Sequence, residues 1–294
     1  LAVAHHFAGD LRDAETYFDA AHQLLAETGD PGLEAQAIGA LGAVLDITGR
    51  VEQAEALYTR AADLYRRAGD RAGEGSNWCN LGLLYHNTAR NEQAHPIMAR
   101  AIQIGHDAGH FALEALARGN MALIETALGR RESALQLLDQ ALVLQRRIGD
   151  RRNEGVCLTN LAYVHEAARD YAAAERTYLH ALSVHREMGN LRFEGVVLGN
   201  LGGVMANQQR LAESEQYLAR AVEIHRKVNH TRFLAVHLAN LACVYAGQGK
   251  AEPAKAAWQE AEPQLAQAGL GMSIEARRAE FRRACADGGF EPLV

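Results

Sequence analysis

The sequence predicts an all-α solenoid, a stack of antiparallel helix pairs, from two regular features of its 294 residues. The first feature is a residue that favours a turn, most often glycine, which recurs every 20 residues. The second is the sequence between these turns, where apolar side chains follow helical spacing and proline is almost absent. Because a single helix–turn–helix unit of 40 residues cannot bury its apolar face alone, consecutive units are expected to stack.

Two series of turn residues alternate along the chain. The series that separates one unit from the next is Gly29, Gly69, Gly109, Gly149, Gly189, Asn229 and Gly269. The series that separates the two helices of a unit is Gly9, Gly49, Ala89, Gly129, Arg169, Gln209 and Gly249. Glycine after a helix supplies the left-handed backbone that ends it, and a following Asp or Asn can cap the next helix. Together the two series predict a helix boundary at every step.

The same register divides the chain into three parts. Residues 1–30 form a partial repeat, namely a truncated first helix and a second helix. Residues 31–270 form six 40-residue repeats, and residues 271–294 form a charged capping helix and a tail. Because Leu1 falls in the middle of a first helix, we expect the chain to be a fragment of a longer protein. The helix face left uncovered there is expected to promote self-association.

Within a repeat, small residues recur at positions 12, 24 and 31 and a large residue recurs at position 28, counted from residues 31, 71 and so on. The second repeat shows the fullest pattern, with Trp78, Leu81, Gly82 and Tyr85 in its first helix. This pattern resembles the tetratricopeptide repeat, whose usual period is about 34 residues. The longer period is similar to that of the Pins/LGN spindle adaptors, the kinesin light chains and the sensor arrays of MalT-like signalling ATPases. The resemblance implies a right-handed superhelix in which the first helix of each repeat lines a concave groove.

Asparagine occupies position 10 of five repeats, in the middle of each first helix: Asn80, Asn120, Asn160, Asn200 and Asn240. Asparagine is a mediocre helix former, and its amide offers both a donor and an acceptor that match an extended backbone. The resemblance implies that these side chains face the groove and hold the main chain of a peptide. Two alternatives stay open, namely hydrogen bonds between neighbouring repeats and an inheritance from repeat duplication.

Three further positions belong to the same candidate groove. Position 2 carries arginine in three repeats: Arg152, Arg192 and Arg232. It lies eight residues before the asparagine, about 80° around the helix, and the resemblance implies that these arginines hold acidic side chains. The alternative is solvated surface charge. Position 13 offers apolar contact from Leu83, Leu123 and Tyr163, and small residues at position 9, from Gly39 to Ala239, are expected to let a ligand approach closely.

Other repeated residues receive a structural interpretation. Glutamate at position 4 is favourable in the first turn of a helix and is expected to pair with the basic end of the preceding helix, for example Arg186. The 13 histidines are expected to lie on the surface, His185 and His225 included, because no Cys or carboxylate accompanies them at metal-ligand spacing. Pro96 and Pro263 fall inside second helices and are expected to kink them or delay their start.

Composition excludes several classes of protein. A hydrophobic content of 48% argues against disorder, and an aromatic content of only 6% argues against an all-β chain. The net charge of −6 disfavours a general binder of nucleic acid or anionic membrane, and no apolar run reaches the roughly 20 residues that span a bilayer. The four cysteines are scattered without a CxxC pair, which predicts free thiols in a reducing compartment, the cytoplasm.

These observations predict a binding protein rather than an enzyme. No catalytic, phosphate-binding or metal-binding motif appears, so no cofactor and no metal are expected. The leading hypothesis is a module that binds an extended or partly helical segment of a partner protein, acidic in character, in its groove. The alternative is a ligand-sensing or effector-sensing regulatory domain of a larger signalling ATPase, kinase or transcription regulator.

Overall fold

A computed structural model describes residue 16, residues 29–267 and residues 274–292. Within those residues it contains thirteen helices and no strand, which confirms the all-α solenoid. The helices are α1 Pro31–Ile47, α2 Val51–Ala68, α3 Arg71–Asn87, α4 Asn91–Asp107, α5 Phe111–Ala127, α6 Arg131–Ile148, α7 Arg151–Ala167, α8 Tyr171–Glu187, α9 Leu191–Asn207, α10 Leu211–Lys227, α11 Thr231–Gly247, α12 Ala251–Gln267 and α13 Ile274–Asp287. The expected partial repeat at residues 1–30 and its self-association surface lie almost wholly outside the described residues.

Every turn between α1 and α12 contains a residue with left-handed backbone, at the place where the turn series predicts it. Seven of these residues are glycines, and the other four are Ala89, Arg169, Gln209 and Asn229, with φ between 51° and 61°. The register of the repeat therefore imposes the same turn even where the side chain disfavours it. Left-handed backbone costs an L-residue roughly 1–2 kcal/mol relative to glycine.

Ala89→Gly is expected to raise the free energy of unfolding by about 1 kcal/mol, because glycine adopts positive φ without the steric cost of Cβ. Gly129→Ala, at the same turn of the next repeat, is the matched control and should lower stability by a similar amount. A Cβ at Gly129 meets no atom within 4 Å, so backbone conformation alone is tested there. Urea unfolding measures both, and a destabilised Ala89→Gly variant would contradict the expectation.

The chain consists of two compact units, Leu1–Asp150 and Arg151–Val294. In the first unit, α1 to α6 pack mainly on their neighbours in chain order. Tyr58, Met98 and Leu138, the large residues of position 28, are buried, and the first two lie against the position-12 glycines Gly42 and Gly82. The guanidinium of Arg100 lies 4.1 Å from the centre of the Trp78 ring and closes one edge of this core.

The second unit contains α7 to α13 and repeats the same packing, with Tyr178, Leu218 and Trp258 fully buried at position 28. Its last helix, α13, packs mainly on α11. Phe281 of α13 stacks flat on Trp258, with ring centroids 4.6 Å apart and an interplanar angle of 3°. This charged helix therefore covers the apolar end of the second unit.

The position-4 glutamates are structural. Each one forms an ion pair within its own unit: Glu34 with Arg60, Glu74 with Arg71 and Arg100, Glu114 with Arg118, Glu154 with Arg151, and Glu194 with Arg186. The expected pair with a basic residue of the preceding helix occurs for Glu194, whose carboxylate lies 2.9 Å from Arg186.

The two interior prolines do not delay their helices. α4 starts five residues before Pro96 and runs through it, and α12 runs through Pro263 in the same way. The expected delay is therefore wrong, because tertiary packing on both sides holds these helices despite the missing N–H group. Among the described residues, no helix is both long enough and apolar enough to cross a membrane.

Candidate functional site

The candidate site is the stripe that positions 2, 6, 10 and 13 form along the first helices of each unit. Helical spacing places positions 2, 6, 10 and 13 on one side of a helix. In the second unit this arginine–asparagine face consists of Arg152, Val156, Asn160 and Tyr163 on α7, Arg192, Val196, Asn200 and Gly203 on α9, and Arg232, Val236, Asn240 and Cys243 on α11. In the first unit the leucine–asparagine face consists of Asn80 and Leu83 on α3 and Leu116, Asn120 and Leu123 on α5.

The five asparagines are partly or largely buried, but their hydrogen bonding differs. In the described part of the chain, the amides of Asn80 and Asn120 form no hydrogen bond. Asn240 accepts a hydrogen bond from Arg277 Nη1 of α13 at 3.0 Å. Asn200 lies near the Tyr178 phenol of the preceding repeat and partly offsets the rise in the pKa of that group, which burial causes. The same repeated residue thus forms an internal hydrogen bond at Asn240 and has open bonding capacity in the first unit.

The three arginines of position 2 are exposed at the starts of α7, α9 and α11. In the regions that the structure describes, none of them has a carboxylate within ion-pair distance. The charge of Arg152 acts on a nearby ring. Burial is the main cause that lowers the pKa of His185, and Arg152 lowers it further. The arginine–asparagine face therefore carries uncompensated positive charge.

The position-13 residues differ in exposure along the stripe. Leu83 and Leu123 are half-buried, whereas Tyr163 is 44% exposed. Glycine at position 203 leaves a recess in which an added Cβ would meet only Glu166 Oε1, at 3.8 Å. Burial raises the pKa of Glu166, whose carboxylate accepts a hydrogen bond from the Tyr178 hydroxyl at 2.9 Å. A partner side chain that entered this recess would meet an acid rather than an arginine.

The small residues of position 9 do not face a ligand, so that expectation is wrong. A Cβ on Gly39 would lie 2.8 Å from Oδ1 of Asn77, and a Cβ on Gly199 would lie 2.0 Å from Cε1 of His237. Both contacting residues stand at position 7 of the next repeat. Position 9 is small because a side chain of the following repeat occupies the space, which is a packing requirement.

Sequence reasoning also misplaced two histidines. His185 and His225 are fully buried rather than exposed, and each ring lies over a glycine, Gly155 and Gly195 respectively. The signal that could have found them is glycine at position 5 in the same repeats that carry histidine at position 35. Even so, no group of three or more His, Cys, Asp or Glu in the described residues is arranged to hold a metal ion.

Cys79 and Cys243, the cysteines of positions 9 and 13, are not activated nucleophiles. All four are free, and Cys79 is buried at position 9 while Cys243 is half-buried at position 13. Burial raises the pKa of both thiols to about 12, so the reactive thiolate is suppressed near neutral pH.

In the first unit, an open hollow of about 720 Å³ lies between α1 and α2, away from the leucine–asparagine face. Acidic and basic side chains line it together, and Arg60 pairs there with Glu34 at 2.6 Å. It contains none of the residues that repeat on the two faces.

Comparison with known proteins gives a family match that covers most of the repeats. The sequence model of the family described as Tetratricopeptide repeat matches residues 1–67, 33–105, 113–187 and 194–267. No curated protein sequence matches the chain.

Several solved structures share the fold at low sequence identity. The apo form of RapI has a TM-score of 0.69 at 13% identity, over 90% of this chain and 95% of that one. A Rap protein complexed with competence and sporulation factor has a TM-score of 0.64 at 14% identity, over 87% and 76%. A signal transduction ATPase with numerous domains and a tetratricopeptide repeat sensor, from Pyrococcus horikoshii, has a TM-score of 0.64 at 17% identity, over 92% of this chain and 41% of that one.

Three observations indicate the same family: the repeated helix pairs, the small residues that pack them, and a family match over most of the sequence. The chain belongs to the tetratricopeptide-repeat family.

Proposed function

We propose that this protein binds an extended or partly helical segment of a partner protein, acidic in part, on the leucine–asparagine and arginine–asparagine faces of its first helices. Stacked helical repeats present extended surfaces suited to such partners, and the family is a helical scaffold. The observation that carries the proposal is the set of open polar groups on these faces. Asn80 and Asn120 have unused hydrogen-bonding capacity, and Arg152, Arg192 and Arg232 have no ion-pair partner in the described residues.

The physical chemistry of these groups selects the ligand. A side-chain amide matches the alternating N–H and C=O groups of an extended backbone, and each hydrogen bond contributes about 0.5–1.5 kcal/mol. Arginine recognises carboxylates through its planar, forked donors. A peptide main chain with acidic side chains therefore fits both sets of groups.

The two units are proposed to prefer segments of different chemistry. Position 2 is Gly32, Ala72 and Ala112 in the first unit, where the exposed face carries Leu116 at 40% exposure. In the second unit the same position carries the three arginines. We expect apolar side chains of the partner on the leucine–asparagine face and acidic ones on the arginine–asparagine face.

Structural relatives support this class of function. The Rap protein of similar fold was solved in complex with competence and sporulation factor. The free, scattered cysteines suit a module of the reducing cytoplasm. A second candidate is a regulatory sensor of a larger signalling protein, favoured by the likeness to the tetratricopeptide repeat sensor of the Pyrococcus horikoshii ATPase.

Selection from a random peptide library on the immobilised protein tests the proposal. The enriched sequences are expected to be acidic and to bind with an affinity that falls as salt rises. Enrichment of basic sequences, or of none, would contradict it.

Replacing both Asn80 and Asn120 by alanine is expected to lower the affinity for the selected peptides by about tenfold, since two hydrogen bonds of about 0.7 kcal/mol each are lost. The melting temperature should stay unchanged, because neither amide bonds to a described residue. Gln93→Ala, an exposed amide on the second helix of the same repeat as Asn80, is the matched control. Fluorescence polarisation measures the affinities, and equal binding by the double variant and the control would count against the asparagines as ligands.

A further inference from the structure

The second unit contains the same histidine joint twice, with different chemistry. The first joint connects the end of α8 to the start of α9 and consists of His185, Asn190 and Phe193. The second joint lies 40 residues later, between α10 and α11, and consists of His225, His230 and Phe233. In both, the buried histidine stacks on the phenylalanine, with ring centroids 5.2 Å apart in the first and 5.9 Å apart in the second.

At the first joint the histidine has hydrogen-bonding partners. His185 Nε2 lies 3.3 Å from Thr159 Oγ1, and Nδ1 lies 3.5 Å from Asn190 Nδ2. The ring is neutral, buried and has a polar atom beside each nitrogen. Such a histidine is a stable part of a core.

At the second joint both partners are replaced. Gly199 stands where the first joint has Thr159, and His230 stands where it has Asn190. The space above Gly199 is filled by His237, which stands where the preceding repeat has Val197. The His225 ring centroid lies 5.0 Å from that of His237 and 5.2 Å from that of His230, so three imidazoles form one cluster.

This cluster has almost no polar compensation. Both ring nitrogens of His225, and Nδ1 of His230 and of His237, have no hydrogen-bond partner. His225 and His237 are almost completely buried, while His230 is half-buried.

The charged groups that act most directly on the three rings are arginines, of which Arg277 is itself paired with Glu280 of α13 at 3.2 Å. Arg192 acts from α9, Arg232 from α11 and Arg277 from α13. On α10 itself, Arg226 is paired with Glu260 of α12 at 2.6 Å. No carboxylate of the described residues forms an ion pair with any of the three histidines.

We propose that His225, His230 and His237 form an acid-sensitive joint, which holds α9, α10 and α11 together only while the three rings are neutral. Protonation would place like charges about 5 Å apart in a buried site that already faces three arginines. The helices can relieve that repulsion only by separating and admitting water. The first joint has no such cluster of histidines, because Thr159 and Asn190 stand where the second joint has Gly199 and His230.

The direction of the pH dependence follows from the titration of the rings. Burial, followed by the nearby positive charges, lowers the pKa of His225 and His230 from 6.5 to about 4 and that of His237 to about 3. Because the unfolded chain binds protons near pH 6.5 and the folded joint does not, stability is full above that pH. It is lost progressively as the pH falls from 6.5 towards 4.

Hydrogen exchange of the full chain at about pH 7.5, 6 and 5 tests the joint, with protection factors corrected for the intrinsic pH dependence of exchange. Protection of α10 and α11 is expected to fall at least about tenfold more than that of α4 and α5 over this range. An equal change in both pairs of helices would overturn the proposal.

The variant Gly199→Thr/His230→Asn/His237→Val gives the second joint the residues that the first joint has at the same positions. It is expected to abolish most of the extra pH dependence of α10 and α11. His180→Gln, at an exposed histidine of α8, is the control and should leave that dependence unchanged. A rebuilt joint with the wild-type pH profile would also overturn the proposal.

A single variant keeps the test informative if the triple variant does not fold. His230→Asn changes only the half-buried ring, and it introduces the residue that the first joint carries at the same place. It is expected to reduce the extra pH dependence in part. No reduction would count against a cooperative three-ring cluster.

Discussion

Trp258→Ala is expected to lower the free energy of unfolding of the second unit by about 3–5 kcal/mol. The indole is only 1% exposed and is the largest fully buried side chain of the chain's described residues. Its loss leaves a cavity beside Phe281, which is one of two buried residues that anchor α13. The helix that covers the end of the core therefore loses its main support.

Chemical unfolding followed by circular dichroism measures this change, and two variants bracket it. Trp258→Phe should be much milder, because the aromatic stack remains and the indole N–H has no hydrogen-bond partner in the described structure. Leu179→Ala, at the neighbouring position 29 of the second helix two repeats earlier, removes a side chain that is 42% exposed and should cost little. A Trp258→Ala effect as small as that of Leu179→Ala would show that α13 does not depend on the stack.

Replacing Arg152, Arg192 and Arg232 together by glutamate reverses their charge. It is expected to weaken the binding of an acidic peptide by about 100-fold or more. Each exposed pair contributes up to about 1 kcal/mol, and reversal replaces attraction by repulsion. The selectivity of the protein should also turn towards basic peptides, since like charges across an interface disfavour binding. Titration of the library-selected peptides at low and high salt measures both effects.

A charge-matched variant separates local recognition from net charge. Arg169, Arg176 and Lys227 are exposed cations outside the first-helix stripe of the same unit. Their triple replacement by glutamate changes the net charge equally but should reduce acidic-peptide binding only slightly. If both triple variants lost the same affinity, binding would depend on overall charge rather than on the position-2 arginines.

Helix boundaries and the packing of the repeats could be read from the sequence because both depend on short-range spacing. Small residues at positions 12, 24 and 31 and a large one at position 28 need only their own repeat and its neighbour to be interpreted. The left-handed turn at Ala89 followed from its place in the register, even though alanine disfavours it.

The state of the repeated polar residues could not be read in the same way. Asn80 and Asn240 share one position, yet Asn240 is bonded to Arg277 of α13 while Asn80 bonds to no described residue. Position 9 looked open to a ligand because its residues are small, but in two repeats the next repeat supplies the side chain that fills it. A side chain's partner belongs to another helix, and sequence spacing does not identify it.

The sequence by itself determined the fold class, the helix register and the turn geometry of this protein, because helical periodicity and the conformational limits of the backbone act over a few residues. Only the tertiary structure decided which polar side chains remain able to hydrogen-bond a ligand and which are buried or bonded inside the protein. His185 and His225 look alike in sequence, but the side chains beside His185 include Thr159 and Asn190, whereas those beside His225 include the rings of His230 and His237. The physical reason is that hydrogen bonding and burial are set by contacts between helices, which form only when the repeats stack.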